Sequence, residues 1–330
     1  MNIQRLFERG VAEGLFTDFD VCVRGPIDIE FSGGQHLSKG ARLFDVSSLT
    51  KAVTYLLMWK LFFQEAISPE DDLGDFLSVP NSNGRQLWHF MTYVVQTYAF
   101  DFDMLRIGNL GPFKEILMKT GFAHWEKEFH YDNLASAYVG LFLESFFSGG
   151  IEDILHTHLL GGLNKENFLF NPVRRGLVQP GLIVPTRADE GLRGLVHDPL
   201  SSNHPHDNIV AAGLFSDAAM IADIFHVTIG AMRRSLFYDR ASSNQLGKLG
   251  IVDYEYALGF DIPYAKNLTG ISVDRPLLFA GWTGCRVFFT RDPAVTVCIL
   301  TNRVFCGDNE VSRKRFSDFS WEVIREILCS

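Results

Sequence analysis

The sequence is poor in the features that mark several large classes of protein. It has five cysteines in 330 residues, Cys22, Cys285, Cys298, Cys306 and Cys329. That number is odd and no CxxC spacing occurs, which excludes a disulfide framework as the basis of the fold. Most of the cysteines lie in apolar runs such as VTVCIL, and the expectation is buried free thiols in a reducing compartment. Long apolar runs are also missing. VTYLLMWKLFF and FLFNPVRRGLV are cut by Lys60 and by Arg174 and Arg175, well short of the roughly 20 residues a membrane span requires, so no transmembrane segment is predicted. There is no basic excess: the formal net charge of −9 argues against nucleic acid or an anionic membrane as a partner, because either selects for a basic face. The N-terminal MNIQRLFERGVAEGLF lacks the apolar stretch and small-residue cleavage site of a signal peptide. A cytoplasmic address is expected, with a periplasmic one as the alternative. FSGGQHLSKG has neither the spacing nor the context of a phosphate-binding loop. His156 with His158, and His204 with His206 and Asp207, come without further ligands at useful spacing. No metal and no cofactor is predicted, and the partner class that remains is a small-molecule or peptide substrate.

What is present is apolar: 47% of the residues are hydrophobic, enough for one large core. An amphipathic helix is expected over about residues 2 to 14, followed by a hairpin from FDVCVRG and IDIEFSGG around Gly25-Pro26. ARLFDV reads as a strand that runs into a helix starting at Ser47 or Ser48 and ending before SPED. Short helical segments follow, including LWHFMTYVV, PFKEILMK and NLASAYVGLFLESFF. Strand character returns in YALGFDI, PLLFAGWTGCRVFFTR and AVTVCILTNRV, before a last helix, SDFSWEVIREIL. Strands near both ends with helices between them imply one sheet assembled from the two ends of the chain. The fold class expected is α/β of the α+β type: an antiparallel sheet flanked by N- and C-terminal helices (residues 1–68 and 215–330), beside an all-helical subdomain (69–214).

FDVSSLTK, residues 44 to 51, sits at the strand-to-helix junction. Positions three apart share a helix face, so Lys51 lies beside the hydroxyl of Ser48. A serine needs a group that removes its proton before it becomes a useful nucleophile, and a neutral amine can do this. The helix N-terminus adds unpaired N–H groups for an anionic intermediate. Taken alone, the pair favours a plain N-cap serine. Two further elements change the weighing: Tyr131-Asp132-Asn133 before an apolar helix, and a segment read as a strand through Trp282-Thr283-Gly284-Cys285.

In this order the three elements resemble the serine β-lactamase and penicillin-binding protein superfamily, in its class C branch with the related carboxypeptidases and esterases. The resemblance covers almost the whole chain: FDVSSLTK, TYVVQTYAF near a threonine and glycine loop, YDN, RGLVHDPLSSN with GLFSDAAMIADIF, and AGWTGC with ILTNRV. It implies that Ser48 is acylated, Lys51 accepts its proton and Tyr131 serves the leaving group and later water. It further implies that Asn133 holds the substrate amide, that Thr283 and Gly284 line the site, and that the N–H groups of Ser48 and Cys285 form an oxyanion hole. Relatives acting on penicillins or peptidoglycan have lysine or histidine where this chain has Trp282. Strand alternation puts Arg286 on the face of Trp282, where it would restore the charge. The reaction implied is acyl transfer from a D-alanyl peptide or β-lactam amide. The alternatives are a carboxylesterase or acyltransferase of the same fold and a non-catalytic binding or sensor protein. A Ser-His-Asp triad through His197-Asp198 is the weaker reading; a structural His197–Asp198 contact is expected instead.

Overall fold

A computed structural model describes residues 3–95, 97, 113–122, 128–204 and 207–330. The described helices are α1 (Ile3–Ala12), α2 (Leu49–Phe63), α3 (Leu87–Met91), α4 (Phe113–Thr120), α5 (Asn133–Phe147), α6 (Ile151–His158), α7 (Pro199–Asn203), α8 (Ala218–Met232), α9 (Leu236–Ala241) and α10 (Glu310–Leu328). The strands are β1 (Asp18–Arg24), β2 (Ile29–Gly34), β3 (Phe44–Asp45), β4 (Phe168–Phe170), β5 (Leu214–Ser216), β6 (Leu277–Gly281), β7 (Cys285–Phe289) and β8 (Thr296–Thr301).

Five strands form one antiparallel sheet in the order β2-β1-β8-β7-β6. The first hairpin therefore lies beside the last strand, and the sheet joins the two ends of the chain as the strand pattern implied. Alternation assigns its faces. Phe19, Val21, Val23, Phe288, Val297 and Ile299 pack under α1 and α10 with Phe7, Phe319 and Ile324. The opposite residues, among them Cys22, Val287, Phe289, Cys298 and Leu300, pack with α2 and α8. Each fully buried phenylalanine in these layers contributes about 1.5 to 3 kcal/mol through burial. A second sheet, β3-β5-β4, sets the entry to α2.

Helix α2 is apolar around its whole circumference, which marks a helix enclosed by the core; Lys51 is buried along with Val53, Tyr55, Leu56 and Trp59. No single helix among the described residues is long and apolar enough to cross a membrane, and the pair α5 and α6, which together reach that length, is bent by 70°.

Four sequence expectations are corrected. YALGFDI is not a strand: only isolated bridges, Tyr256↔Asp261 and Asp261↔Leu278, occur there. The chain turns at Gly259, which has φ 89° and where a Cβ would stand 2.8 Å from the Tyr55 ring. PLLFAGWTGCRVFFTR is two strands, not one. Gly281 pairs with Cys285, and Gly284 at φ 100° closes a three-residue loop in the backbone region that favours glycine. The helix expected over LWHFMTYVV stops at Met91, two residues before Tyr93 at φ 56°. Among the thiols Cys22, Cys285 and Cys298 are buried, but Cys306 and Cys329 are exposed, because they follow the turn after β8 and the end of α10.

Candidate active site

Ser47 and Ser48 have different tasks at the start of α2. Ser47 is buried at φ 51°, a conformation that costs a non-glycine residue about 1 to 3 kcal/mol. Its N–H donates to Asp45 Oδ1 at 2.9 Å and its carbonyl accepts from Thr50 Oγ1 at 2.7 Å. These bonds hold the turn that presents Ser48. Ser48 occupies the N-cap position, yet its side chain caps nothing. Its Oγ lies 2.9 Å from Lys51 Nζ.

Lys51 is fully buried. Its Nζ also donates to the Ala211 carbonyl at 2.6 Å, and no carboxylate pairs with it among the described residues. The Tyr131 ring covers the amine with its centroid 5.3 Å from Nζ. Behind Tyr131 stands Tyr93, ring centroids 4.7 Å apart, and the Tyr93 and Tyr55 hydroxyls meet at 3.1 Å. Tyr55 is one turn beyond Lys51 on α2, so a chain of three tyrosines runs from the amine back to its own helix. Sequence reading did not single out Tyr93, Tyr55 or Ala211. Tyr55 alone carried a signal, its i+4 spacing from Lys51.

Asp45 ties the serine turn to its neighbours. Its carboxylate accepts the Ser47 N–H and, at 2.7 Å, the His197 N–H; its carbonyl accepts Thr283 Oγ1 at 2.9 Å. Burial pushes its carboxyl up to about 6, against the lowering effect of the two backbone donors. The β6–β7 loop thus docks on the serine turn through Thr283. Gly281 makes the approach possible: a Cβ there would stand 2.7 Å from the Val46 carbonyl oxygen. Cys285 begins β7 beside this contact. Burial pushes its thiol up to about 12.

The remaining predicted residues divide. Asn133 opens α5 and is not its N-cap; Asp132 is, accepting from the Leu134 N–H at 2.8 Å. The Asn133 amide donates to Asp198 at 3.2 Å. Trp282 is 47% exposed and is not a core residue. Its Nε1 donates to Asp308 Oδ2 at 2.8 Å, and the Arg313 guanidinium lies 4.5 Å over its ring. Arg286 is not beside Trp282. The loop interrupts strand alternation, and the buried Arg286 points to the α10 side of the sheet, where Nη2 donates to Ser317 and the guanidinium lies over Phe316 and Trp321.

The His197 contact also differs from expectation. Its Nε2 is 3.5 Å from Asp308, not Asp198, which instead caps α7 through the Ser201 N–H at 2.9 Å. Burial holds the His197 imidazole below its usual range, and it makes no hydrogen bond to Ser48 among the described residues. His156 bonds the Phe168 carbonyl and His158 stacks on Phe147. Part of TYVVQTYAF (Gln96 and residues 98–100) and Pro205-His206 lie outside the described residues. The arrangement at Ser48 sets a hydroxyl beside a buried amine with a tyrosine ring over that amine, and an amine so placed can take a proton from a nucleophile.

No protein-family model and no curated protein sequence matches the chain. Solved structures do. EstCE1, described as a hydrolase with promiscuous acyltransferase activity, has a TM-score of 0.66 at 14% identity, with 97% of each chain covered. A penicillin-binding protein homologue from Caulobacter crescentus has a TM-score of 0.68 at 14% identity over 97% of this chain and 96% of that one. A mutant of simvastatin synthase (LovD) from Aspergillus terreus has a TM-score of 0.70 at 10% identity over 99% and 96%. At these identities the likeness is one of fold.

Proposed function

We propose, for a chain with the fold of the serine β-lactamase and penicillin-binding protein superfamily, the chemistry of a serine acyl hydrolase working through an acyl-Ser48 ester. The observation that carries this reading is the 2.9 Å separation of Ser48 Oγ and Lys51 Nζ under the Tyr131 ring. In the first half-reaction Ser48 Oγ attacks the substrate carbonyl carbon and its proton passes to Lys51 Nζ. The N–H groups of Ser48 and Cys285 receive the oxyanion, where preorganised donors act most strongly. When the tetrahedral intermediate collapses, Tyr131 gives its phenolic proton to the leaving oxygen or nitrogen, and Lys51 returns the proton it took to Tyr131. In the second half-reaction water attacks the acyl ester, its proton passes to the Tyr131–Lys51 pair, and Ser48 Oγ leaves as its own proton is restored. Asn133 borders the bound acyl group, and the buried Thr283 holds the β6–β7 loop against the serine turn.

The substrate class we favour is a neutral carboxylic ester, with water or another alcohol as acceptor. The support lies in what faces the cleft beyond Thr283: an indole bonded to Asp308, with Arg286 turned to the opposite side of the sheet. The D-alanyl peptide or β-lactam amide is the second reading, and Arg313 favours it. Its exposed guanidinium stacks on Trp282 without an ion pair among the described residues, and so could meet a substrate carboxylate. A non-catalytic binding role does not account for a presented serine held against a buried amine.

The test is covalent labelling. A fluorophosphonate should give an adduct on Ser48, located by peptide mass mapping, that is lost in Ser48→Ala. A fluorescent penicillin that also labels Ser48 would move the substrate to the second reading. An adduct that persists in Ser48→Ala, or none on the native chain, would overturn the acyl-serine reading.

A further inference from the structure

A groove of about 630 Å³ opens from Tyr131 and runs toward α10. Its aromatic lining is not the ordinary outcome of folding. Tyr131, Tyr254 and Tyr264 line it while remaining 46%, 49% and 52% exposed. Behind them Phe129 packs on Tyr254 and on the buried Tyr256, with ring centroids 5.0 and 5.5 Å apart. Large apolar rings left in water along one concavity mark a surface kept for a ligand. Among the described residues the groove carries Glu255, Asp261 and Asp318 against Lys266, Lys314 and Arg286, the last buried at its α10 end and already bonded to Ser317. That composition selects for a planar or aromatic group without strong net charge.

Its position assigns the part of the substrate that enters. In the reading above, Tyr131 protonates the leaving group, so the leaving group must lie against Tyr131, and the groove begins there. We infer that this groove binds the alcohol portion of the ester, and that the chain acts on esters of neutral aromatic alcohols, with Tyr254 and Tyr264 as specificity-determining residues. This rests on the acyl-serine reading for its chemistry, but not for the binding itself.

The experiment compares methyl butyrate with 2-naphthylmethyl butyrate, which share an acyl group and a primary alkoxide leaving group. The ratio of kcat/KM values should favour the naphthylmethyl ester by roughly tenfold or more, the scale of one or two good aromatic contacts. In the double variant Tyr254→Ala/Tyr264→Ala that ratio should fall at least about fivefold, while Tyr254→Phe/Tyr264→Phe should keep it, since the ring and not the hydroxyl makes the contact. A ratio unchanged by the alanine pair overturns the proposal. Calorimetric titration of 2-naphthalenemethanol into Ser48→Ala reads the groove without turnover. Weaker binding on adding the alanine pair supports the groove, and equal binding overturns it. Absence of fluorophosphonate labelling, with binding intact, would instead remove the acyl-serine reading and leave the groove standing.

Discussion

The serine turn and the loop facing it meet across the same cleft but are built on opposite terms. On one side Ser47, Thr50, Lys51 and Asp45 are buried, and their polar atoms are held by main-chain partners. On the other, Trp282 is about half exposed and its side chain is held by one indole hydrogen bond and a stacked arginine. Fixed, desolvated groups suit the atoms that move protons, because misplacement there is costly. An exposed rim suits the groups that choose among substrates, where the energy at stake is smaller. Substitutions on the first side should therefore reduce turnover of every substrate, and substitutions on the second should change only the ratio between substrates.

The largest expected effect is at Lys51. Lys51→Ala removes the one amine within reach of Ser48 among the described residues, and kcat should fall roughly 100-fold or more, the scale of a general acid-base partner. Steady-state kinetics on any ester that turns over reads this. Near-native kcat would place the base elsewhere, with His197 the next residue to test.

Gly281→Ala probes the seam between the two sides. The new methyl group would collide with the Val46 carbonyl, and backbone cannot yield as a flexible side chain does. The serine turn and the β6–β7 loop should be forced apart. We expect kcat to drop about 10- to 100-fold for both large and small esters, because the oxyanion donors leave their alignment with Ser48. A loss confined to large esters would mean that the seam shapes only the rim.

Much of this was legible before the fold was known. Val53, Leu56, Leu57 and Leu61 announced α2, alternation announced β1 and β2, and the strand character of AVTVCILTNRV announced β8, because burial imposes its pattern on the sequence. The pairing of Ser48 with Lys51 follows from helical spacing alone. Trp282 to Arg286 was misread for an equally physical reason. Alternation holds only while a strand stays extended, and one glycine at positive φ turned the strand into a hairpin and sent Arg286 to the other face. Asp45, Ala211, Tyr93 and Asp308 were invisible because their partners are far away in sequence. The bonds of Asp45 to His197 and Thr283, for example, cross 152 and 238 positions, and no local pattern encodes such a contact.

Asp45 supplies a test of the buried side by pH. Its carboxyl titrates at about 6 in the fold against 3.8 for an unperturbed group, so between these values the folded state binds the proton more tightly than the unfolded chain. Its contribution to stability is therefore largest at low pH and declines as pH rises through about 6. In Asp45→Asn that titration is absent. Whatever stability the variant loses at pH 4 should shrink by about 1 to 3 kcal/mol by pH 7, at about 1.4 kcal/mol per pH unit of difference. Urea denaturation of both proteins across this range measures it. A deficit that grows with pH would show that the two backbone donors outweigh burial and hold the carboxylate ionised.

The smallest effect is expected at Arg313, and it decides most about the exposed side. The guanidinium is exposed and stacked on Trp282, so a carboxylate meeting it stays partly in water. Exposed ion pairs contribute about 0.2 to 1 kcal/mol, or roughly 1.5- to 5-fold in kcat/KM. If Arg313 reads a substrate carboxylate, Arg313→Gln should lower the acylation rate by a penicillin by that factor and leave the rate for a neutral ester of similar size alone. Raising the salt concentration should erase the difference, since screening acts on exposed charges first. If the ratio of the two rates is the same in Arg313→Gln as in the native chain, no cation on this rim selects for a carboxylate. Arg286 is buried on the α10 side of the sheet and bonded to Ser317, and the neutral ester is then the substrate class this rim favours.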